Sequence, residues 1–143
     1  PYNIGYIAGV FDLFHIGHLN MFRRAKELCN YLIVGVVSDE GVRIGKQAEP
    51  FVPFDERIEM VRSCRYVDEA VKLPPNFADT EDMYKVYHFD VQFSGSDYEY
   101  DPYWLARKDF LEKHGSTLVF FPYTQSTSST KLKKAIDARI SQE

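Results

Sequence analysis

The stretch that decides the fold is Ala8–Arg24, AGVFDLFHIGHLNMFRR. An apolar run ends at Gly9, Phe11 and Asp12 turn the chain, and His15 and His18 straddle Gly17 ahead of an amphipathic segment. That order predicts a strand, a glycine-bearing loop and a helix start. Backbone N–H groups in the first turn of a helix have no intrahelical partner and sit at the positive end of its dipole, so the site suits a phosphate. Gly17 lets the backbone approach that anion closely, and the two imidazoles add donors beside it.

On either side of this stretch the pattern continues. Ile4–Val10 is a near-continuous apolar run, as a buried parallel strand requires. Leu19–Leu28 sets Leu19, Phe22, Ala25 and Leu28 on one helical face, and Tyr31–Val37, YLIVGVV, is a second buried strand. Strand, helix and strand in so short a span make a right-handed βαβ unit. The polar segment Gly41–Pro53 holds Gly41, Gly45, Pro50 and Pro53 beside Arg43 and Lys46, and reads as a mobile loop at the carboxyl edge of the sheet. Asp55–Arg65 is a helix with acids in its first turn and arginines in its last. Strands at Val67–Leu73, Val91–Phe93 and Thr117–Phe121 then alternate with helices at Thr80–Tyr87, Trp104–His114 and Ser128–Ile140. The alternation predicts a single domain over residues 1–143. Its class is α/β, a doubly wound, Rossmann-like three-layer α/β/α sandwich on a mostly parallel five-stranded sheet.

Composition narrows the function. A chain of 143 residues can bury about 70% of its unfolded surface around one core. Its net charge of −4 argues against a general nucleic-acid binder, which needs a basic face to displace counterions. No apolar run reaches membrane-spanning length and no secretory signal opens the sequence, so the expectation is a cytoplasmic protein with no membrane partner. Cys29 and Cys64 lack metal-ligand spacing and read as reduced thiols.

The histidine pair admits plainer readings. Taken alone, H-x-G-H could be half of a metal site, or one capping and one core histidine. No third ligand stands at a recognisable spacing, so zinc is disfavoured and no residue is assigned to a metal. Its position between a buried strand and an amphipathic helix favours phosphate. Near the end of the chain, Ser126–Thr130 (STSST) opens the last helix, where hydroxyls and free N–H groups make either a simple N-cap or a second anion site. Arg57 is expected to pair on its own helix, and Arg23 and Arg24 to form a solvated face.

The run GVFDLFHIGHLNMFRRAKE resembles the signature of the HxGH nucleotidyltransferase superfamily. The chain is similar to its glycerol-3-phosphate cytidylyltransferase-like members through YLIVGVVSDE, PFDERIEMVRSCRYVDEAV, FSGSDYE and STSSTKLKKAI. The resemblance implies catalytic roles for His15, His18 and Lys46, with Gly9, Val10, Phe11, Asp12 and Gly17 in the phosphate loop. It sets Arg65, Gly95 and Asp97 around the base, and Tyr123, Thr127, Ser128, Ser129 and Thr130 on the β and γ phosphates. Asp39 is set beside the acceptor. It further implies CTP and a phosphorylated small alcohol or amine-alcohol as substrates, Mg²⁺ carried by the nucleotide phosphates, and a homodimer. Adenylyl transfer from ATP, or a nucleotide-binding module with weakened catalysis, are the alternatives. The sequence departs from the family where Tyr123 and Ser126 replace arginine and glycine, and where Ser96 and Tyr98 replace an acid and a tryptophan. If the missing arginine binds triphosphate, affinity or rate should drop unless Lys131 or Arg43 substitutes, since tyrosine offers only one hydroxyl in place of a bidentate fork.

Overall fold

The apolar run after the first helix forms β2 (Cys29–Val37), whose residues alternate between two cores. Leu32, Val34 and Val36 face one side while Ile33 and Val37 face the other, the period of two that a strand imposes. Gly35 shares the second face, where a Cβ would lie 2.6 Å from Leu73 Cδ2 and 2.8 Å from the Tyr6 hydroxyl. Bulk at Tyr6 and Leu73 thus requires glycine between them.

The computed structural model describes residues 1–75, 80–95, 99–122 and 129–142. Around β2 lie β1 (Tyr2–Gly9), β3 (Glu69–Leu73), β4 (Val91–Gly95) and β5 (Thr117–Phe121). The order is β3-β2-β1-β4-β5, and every pairing is parallel rather than mostly so. β1 pairs with β2 from Tyr2↔Cys29 to Gly9↔Val36 and with β4 at Gly5↔Val91. The chain winds outward from β1 through β2 and β3, then returns to lay β4 and β5 on the other side. The winding reverses between β1 and β4, and open α/β sheets bind ligands at the carboxyl ends flanking such a reversal.

The helices cover both faces. α1 (Ile16–Leu28) and α3 (Phe54–Arg62) bury Phe22, Ala25, Ile58 and Val61 against one face. α2 (Asp39–Lys46), α4 (Thr80–Tyr87) and α5 (Pro102–Lys113) bury Val42, Met83 and Leu111 against the other. α6 (Ser129–Gln142) closes the described chain.

Among the boundaries that differ from those expected, three affect predicted site residues. The segment read as a loop from Gly41 contains α2. Ser38 caps it by accepting from the Gly41 N–H at 3.0 Å, Asp39 and Glu40 occupy its first turn, and Arg43 and Lys46 lie in its last. Gly41, which reads as a loop marker, is helical because the helix packs closely there: a Cβ would meet Val37 Cγ1 at 2.8 Å. α1 begins at Ile16, so Gly17 and His18 lie inside its first turn. α3 ends at Arg62, which leaves Arg65 in the following turn.

Candidate active site

Beyond β1 the chain makes a cramped turn. Phe11 and Leu13 both adopt positive φ, 56° and 50°, which costs a side-chain-bearing residue about 1–2 kcal/mol each. Burial holds the turn in place. The Phe11 ring packs edge-on against Phe22 and His18, and it lies so close over Gly9 that a Cβ there would meet its Cζ at 2.7 Å. Between the two strained residues, Asp12 points inward with 2% of its side chain exposed. Its carboxylate accepts from the N–H groups of Phe51 (2.8 Å) and Val52 (3.0 Å) and pairs with Lys133 Nζ at 3.2 Å. Burial alone would raise this carboxyl; the two N–H groups and the Lys133 ammonium more than offset that and hold it below the usual carboxylate value.

His15 is the N-cap of α1, and His18 sits one turn behind it. The Gly17 N–H donates to His15 Nδ1 at 3.0 Å, and the His15 N–H donates to His18 Nδ1 at 3.2 Å. The imidazoles therefore do what serine and glutamate do in a capping box. An Nδ1 that accepts leaves the proton of a neutral imidazole on Nε2. Burial lowers His15, and burial followed by the neighbouring His15 ring lowers His18 to about 3, with Asp12 acting weakly the other way. Both rings are thus neutral near pH 7. They stack with centroids 3.9 Å apart, and Phe14 lies 5.3 Å from His18. This revises the sequence-based expectation: two of the backbone N–H groups at this helix start are already satisfied by imidazole nitrogens. The proton of each neutral ring then stands on Nε2, away from the backbone of the helix start.

Lys46 ends α2 near the same turn. Its ammonium is lowered first by burial and then by Lys133, while Asp12 opposes both, so the two lysines and the carboxylate share one field. The Val10 carbonyl, just past β1, accepts from Arg57 Nη1 at 2.7 Å. Arg57, expected to pair on its own helix, is instead buried and reaches across to Asp39 of α2. Asp39 also accepts from the Phe54 N–H at 3.2 Å and lines a cavity of about 310 Å³ with Glu40, Arg43, Phe54 and Lys72. Burial would raise Asp39, but Arg57 and Phe54 outweigh it and hold the carboxyl below its usual value.

Gly95 ends β4 opposite Phe121, with open space where a Cβ would stand. Ser129 and Thr130 form the first turn of α6, and Thr130 is exposed. Arg65 donates to the Tyr66 hydroxyl at 2.8 Å, and Arg23 of α1 reaches the same Tyr66. Asp97, Tyr123, Thr127 and Ser128, with Ser96, Tyr98 and Ser126, lie outside the described residues. Arg43 faces Glu49, with Nη1 at 3.2 Å from both carboxylate oxygens. Two contacts to predicted site residues escaped the sequence reading, that of Lys133 with Asp12 and that of Arg57 with Asp39. The signal for Lys133 is its spacing three residues after Thr130, one turn along the same face of α6. Among the described residues no three His, Cys, Asp or Glu side chains converge as a metal cage, and no helix is long and apolar enough to cross a membrane.

The sequence model of the cytidylyltransferase-like family matches residues 6–135. An FAD synthase from Thermococcus kodakarensis is 37% identical over 132 residues, covering 91% of this chain and 87% of that protein. Glycerol-3-phosphate cytidylyltransferase from Bacillus subtilis is 33% identical over 128 residues, covering 90% and 92% respectively. Ethanolamine-phosphate cytidylyltransferase from Dictyostelium discoideum is 37% identical across 96% of this chain, a span that is 39% of that longer protein. A lipopolysaccharide core biosynthesis protein from Thermoplasma volcanium superposes with a TM-score of 0.70 over 89% of this chain and 100% of its own at 22% identity, which shows a shared fold. With the histidine motif at the switch point of an all-parallel sheet and a family match across nearly its whole length, the chain belongs to the cytidylyltransferase-like family of nucleotidyltransferases.

Proposed function

We propose that the chain transfers CMP from CTP to a phosphorylated small alcohol or amine-alcohol, giving a CDP-linked product and pyrophosphate. The observation that carries this reading is the stacked pair of neutral imidazoles whose Nδ1 atoms are engaged by backbone N–H groups. An acceptor phosphate, with a second pKa of about 6, is already largely ionised near pH 7 and needs no strong general base. Its oxygen attacks the α-phosphorus in line, the bond to the α,β-bridging oxygen breaks, and pyrophosphate departs with that electron pair. Catalysis is then positioning and charge stabilisation. His15 and His18 donate to phosphate oxygens as their charge grows, a contribution of about 2.7–4 kcal/mol for one such donor. Lys46 and the start of α6 hold the pyrophosphate. Asp12 keeps the loop closed through Phe51 and Val52. With Asp12 so engaged, these residues suit a Mg²⁺ brought in by the nucleotide, which would supply neutralisation of phosphate charge. The proposal includes a homodimer acting on small molecules, without nucleic acid or membrane.

A second reading is favoured by the FAD synthase likeness: adenylyl transfer from ATP to a flavin phosphate. Pyrophosphate release is to be measured with CTP and ATP against glycerol phosphate, phosphoethanolamine, phosphocholine and flavin phosphate. Release from CTP with an alcohol phosphate supports the first reading. Release confined to ATP with flavin phosphate replaces it with the second, and release from neither nucleotide overturns both.

A further inference from the structure

Phe14 stands directly before His15, in the connection between β1 and α1. An apolar residue one position ahead of an N-cap ordinarily packs on the start of the helix and fixes how the chain enters it. From there Phe14 reaches two rings of α1: its centroid lies 5.3 Å from His18 and 5.9 Å from Phe22. Those residues are four apart and share a helix face, and Phe22 is fully buried in the core. The His18 imidazole is therefore met by three rings: His15 stacked at 29°, Phe14 tilted at 33° and Phe11 edge-on at 78°. A histidine that donates in a fixed direction needs both its tautomer and its ring orientation set. The His15 N–H sets the tautomer, but at 3.2 Å that bond is long, and the outer torsion of an imidazole is broad. Orientation falls to the neighbouring rings. Phe11 is tied to the turn by its own φ of 56°, whereas Phe14 has no positive φ and is partly buried, so its ring can be cut back without touching a strained backbone.

We propose that Phe14 is a positioning residue for nucleotidyl transfer: anchored on Phe22, its ring holds the His18 imidazole in one orientation and screens it from water, so that Nε2–H is presented to phosphate as a fixed donor. This deepens the nucleotidyl-transfer reading and rests on it for the target of that donor. The titratable groups that act on His18 are His15, at the head of α1, and Asp12, in the turn, and they oppose one another. Phe11 and Phe14 add no charge, so Phe14 acts through contact and exclusion of water alone.

The test begins with the substrate-free chain. Imidazole nitrogen and proton spectra should show wild-type His18 as a single Nε2–H tautomer. In Phe14→Ala both tautomers should appear and the His18 midpoint should rise by about one to two pH units, while Phe14→Leu, which keeps an apolar cover, stays within about half a unit. Phe14→Val, with a smaller shift in the same direction, serves if thermal melting shows the alanine variant unfolded. A folded Phe14→Ala whose His18 keeps the wild-type tautomer and titration overturns the proposal. Pyrophosphate release is then measured with CTP and glycerol phosphate, and with ATP and flavin phosphate. Phe14→Ala should lower kcat about ten- to hundredfold with nucleotide KM changed less than about threefold, and Phe14→Leu should recover most of that loss. Added to His18→Ala, Phe14→Ala should cost less than about twofold more. An equal loss in both backgrounds would show Phe14 acting apart from His18 and would also overturn the proposal. Wild type that releases pyrophosphate from neither pair overturns the nucleotidyl-transfer reading and, with it, the donor role of His18; the spectra separate that failure from a loosely held ring.

Discussion

Arg57 Nη2 lies 2.6 Å from Asp39 Oδ1, and the guanidinium that makes this contact is wholly shielded from solvent. The same fork donates through Nε to the Val52 carbonyl at 2.8 Å and through Nη1 to the Val10 and Val37 carbonyls at 2.7 and 2.8 Å. One side chain therefore ties the residue after β1, the last residue of β2, the loop before α3 and the first turn of α2. Asp12 holds Val52 from the other side, through its N–H. The carboxyl edge is clamped by a cation and an anion that meet at one residue, Val52.

Removing that cation should be severe. Arg57→Met leaves Asp39 and three carbonyls without their donor, and breaking a buried pair typically costs about 3–5 kcal/mol. Arg57→Lys keeps the charge but cannot reproduce a planar fork over four acceptors, so it should fall between the methionine variant and wild type. Urea midpoints at constant slope give both values.

The histidines should leave a mark on acid stability. Their pKa values are lowered in the folded chain, His18 to about 3 from 6.5, so between those values the unfolded chain binds protons that the folded chain refuses. Stability then rises with pH across that window. Their contribution is complete above pH 6.5 and is lost progressively as the pH falls toward 3. Asp12 and Asp39, also lowered, begin to subtract only below their ordinary value of 3.8. Imidazole proton shifts should show His18 untitrated from pH 8 to pH 5; a midpoint near 6.5 would contradict the buried, neutral ring.

Capping and donation by His15 can be separated. His15→Ser retains an oxygen able to accept from the Gly17 N–H, so the head of α1 should lose no more than about 1 kcal/mol. The substitution removes the Nε2–H donor, and pyrophosphate release should fall about 10²–10³-fold. His18→Ala should lose turnover to a similar degree. A His15→Ser variant with near-normal turnover would confine that ring to a structural role.

Much of this architecture was legible in advance because buried parallel strands and the motif between them are local patterns. YLIVGVV could only be an inner strand, and HIGH could only stand at its neighbour's carboxyl end. What escaped was non-local or ambiguous. Gly41 and Gly45 mark a loop by composition, yet α2 forms because Ser38 caps it and Val42 finds the core, neither of which residue counting detects. Arg57 lies among the charges of an ordinary helix, and only the sheet edge beneath it reveals four acceptors. The free N–H groups expected at the head of α1 are taken up by Nδ1 atoms because the two rings fold back on their own backbone, which spacing alone does not disclose. Lys133 needed the three-dimensional meeting of α6 with Asp12, whereas Arg43, a sequence-level substitute for the missing arginine, is turned toward Glu49.

The end of α2 offers a last prediction. Gln47 closes the helix in the left-handed region, φ 54° and ψ 34°, with its N–H bonded to the Arg43 carbonyl at 2.9 Å. Glycine suits that position at C′ because it has no Cβ to crowd the adjacent carbonyl. Gln47→Gly removes a strain of about 1 kcal/mol from the folded chain, while glycine's extra freedom when unfolded takes some of that back. The net effect should be a gain of a few tenths to about 1 kcal/mol, or a melting temperature higher by about 1–4 °C. The side chain is exposed, so nothing is lost from the core. A firmer helix end also steadies Lys46, the residue before it, so nucleotide KM should hold or fall while kcat stays within about twofold. Thermal melting of Gln47→Gly beside Gln47→Ala separates backbone strain from loss of the side chain, since alanine keeps the Cβ and should show no gain.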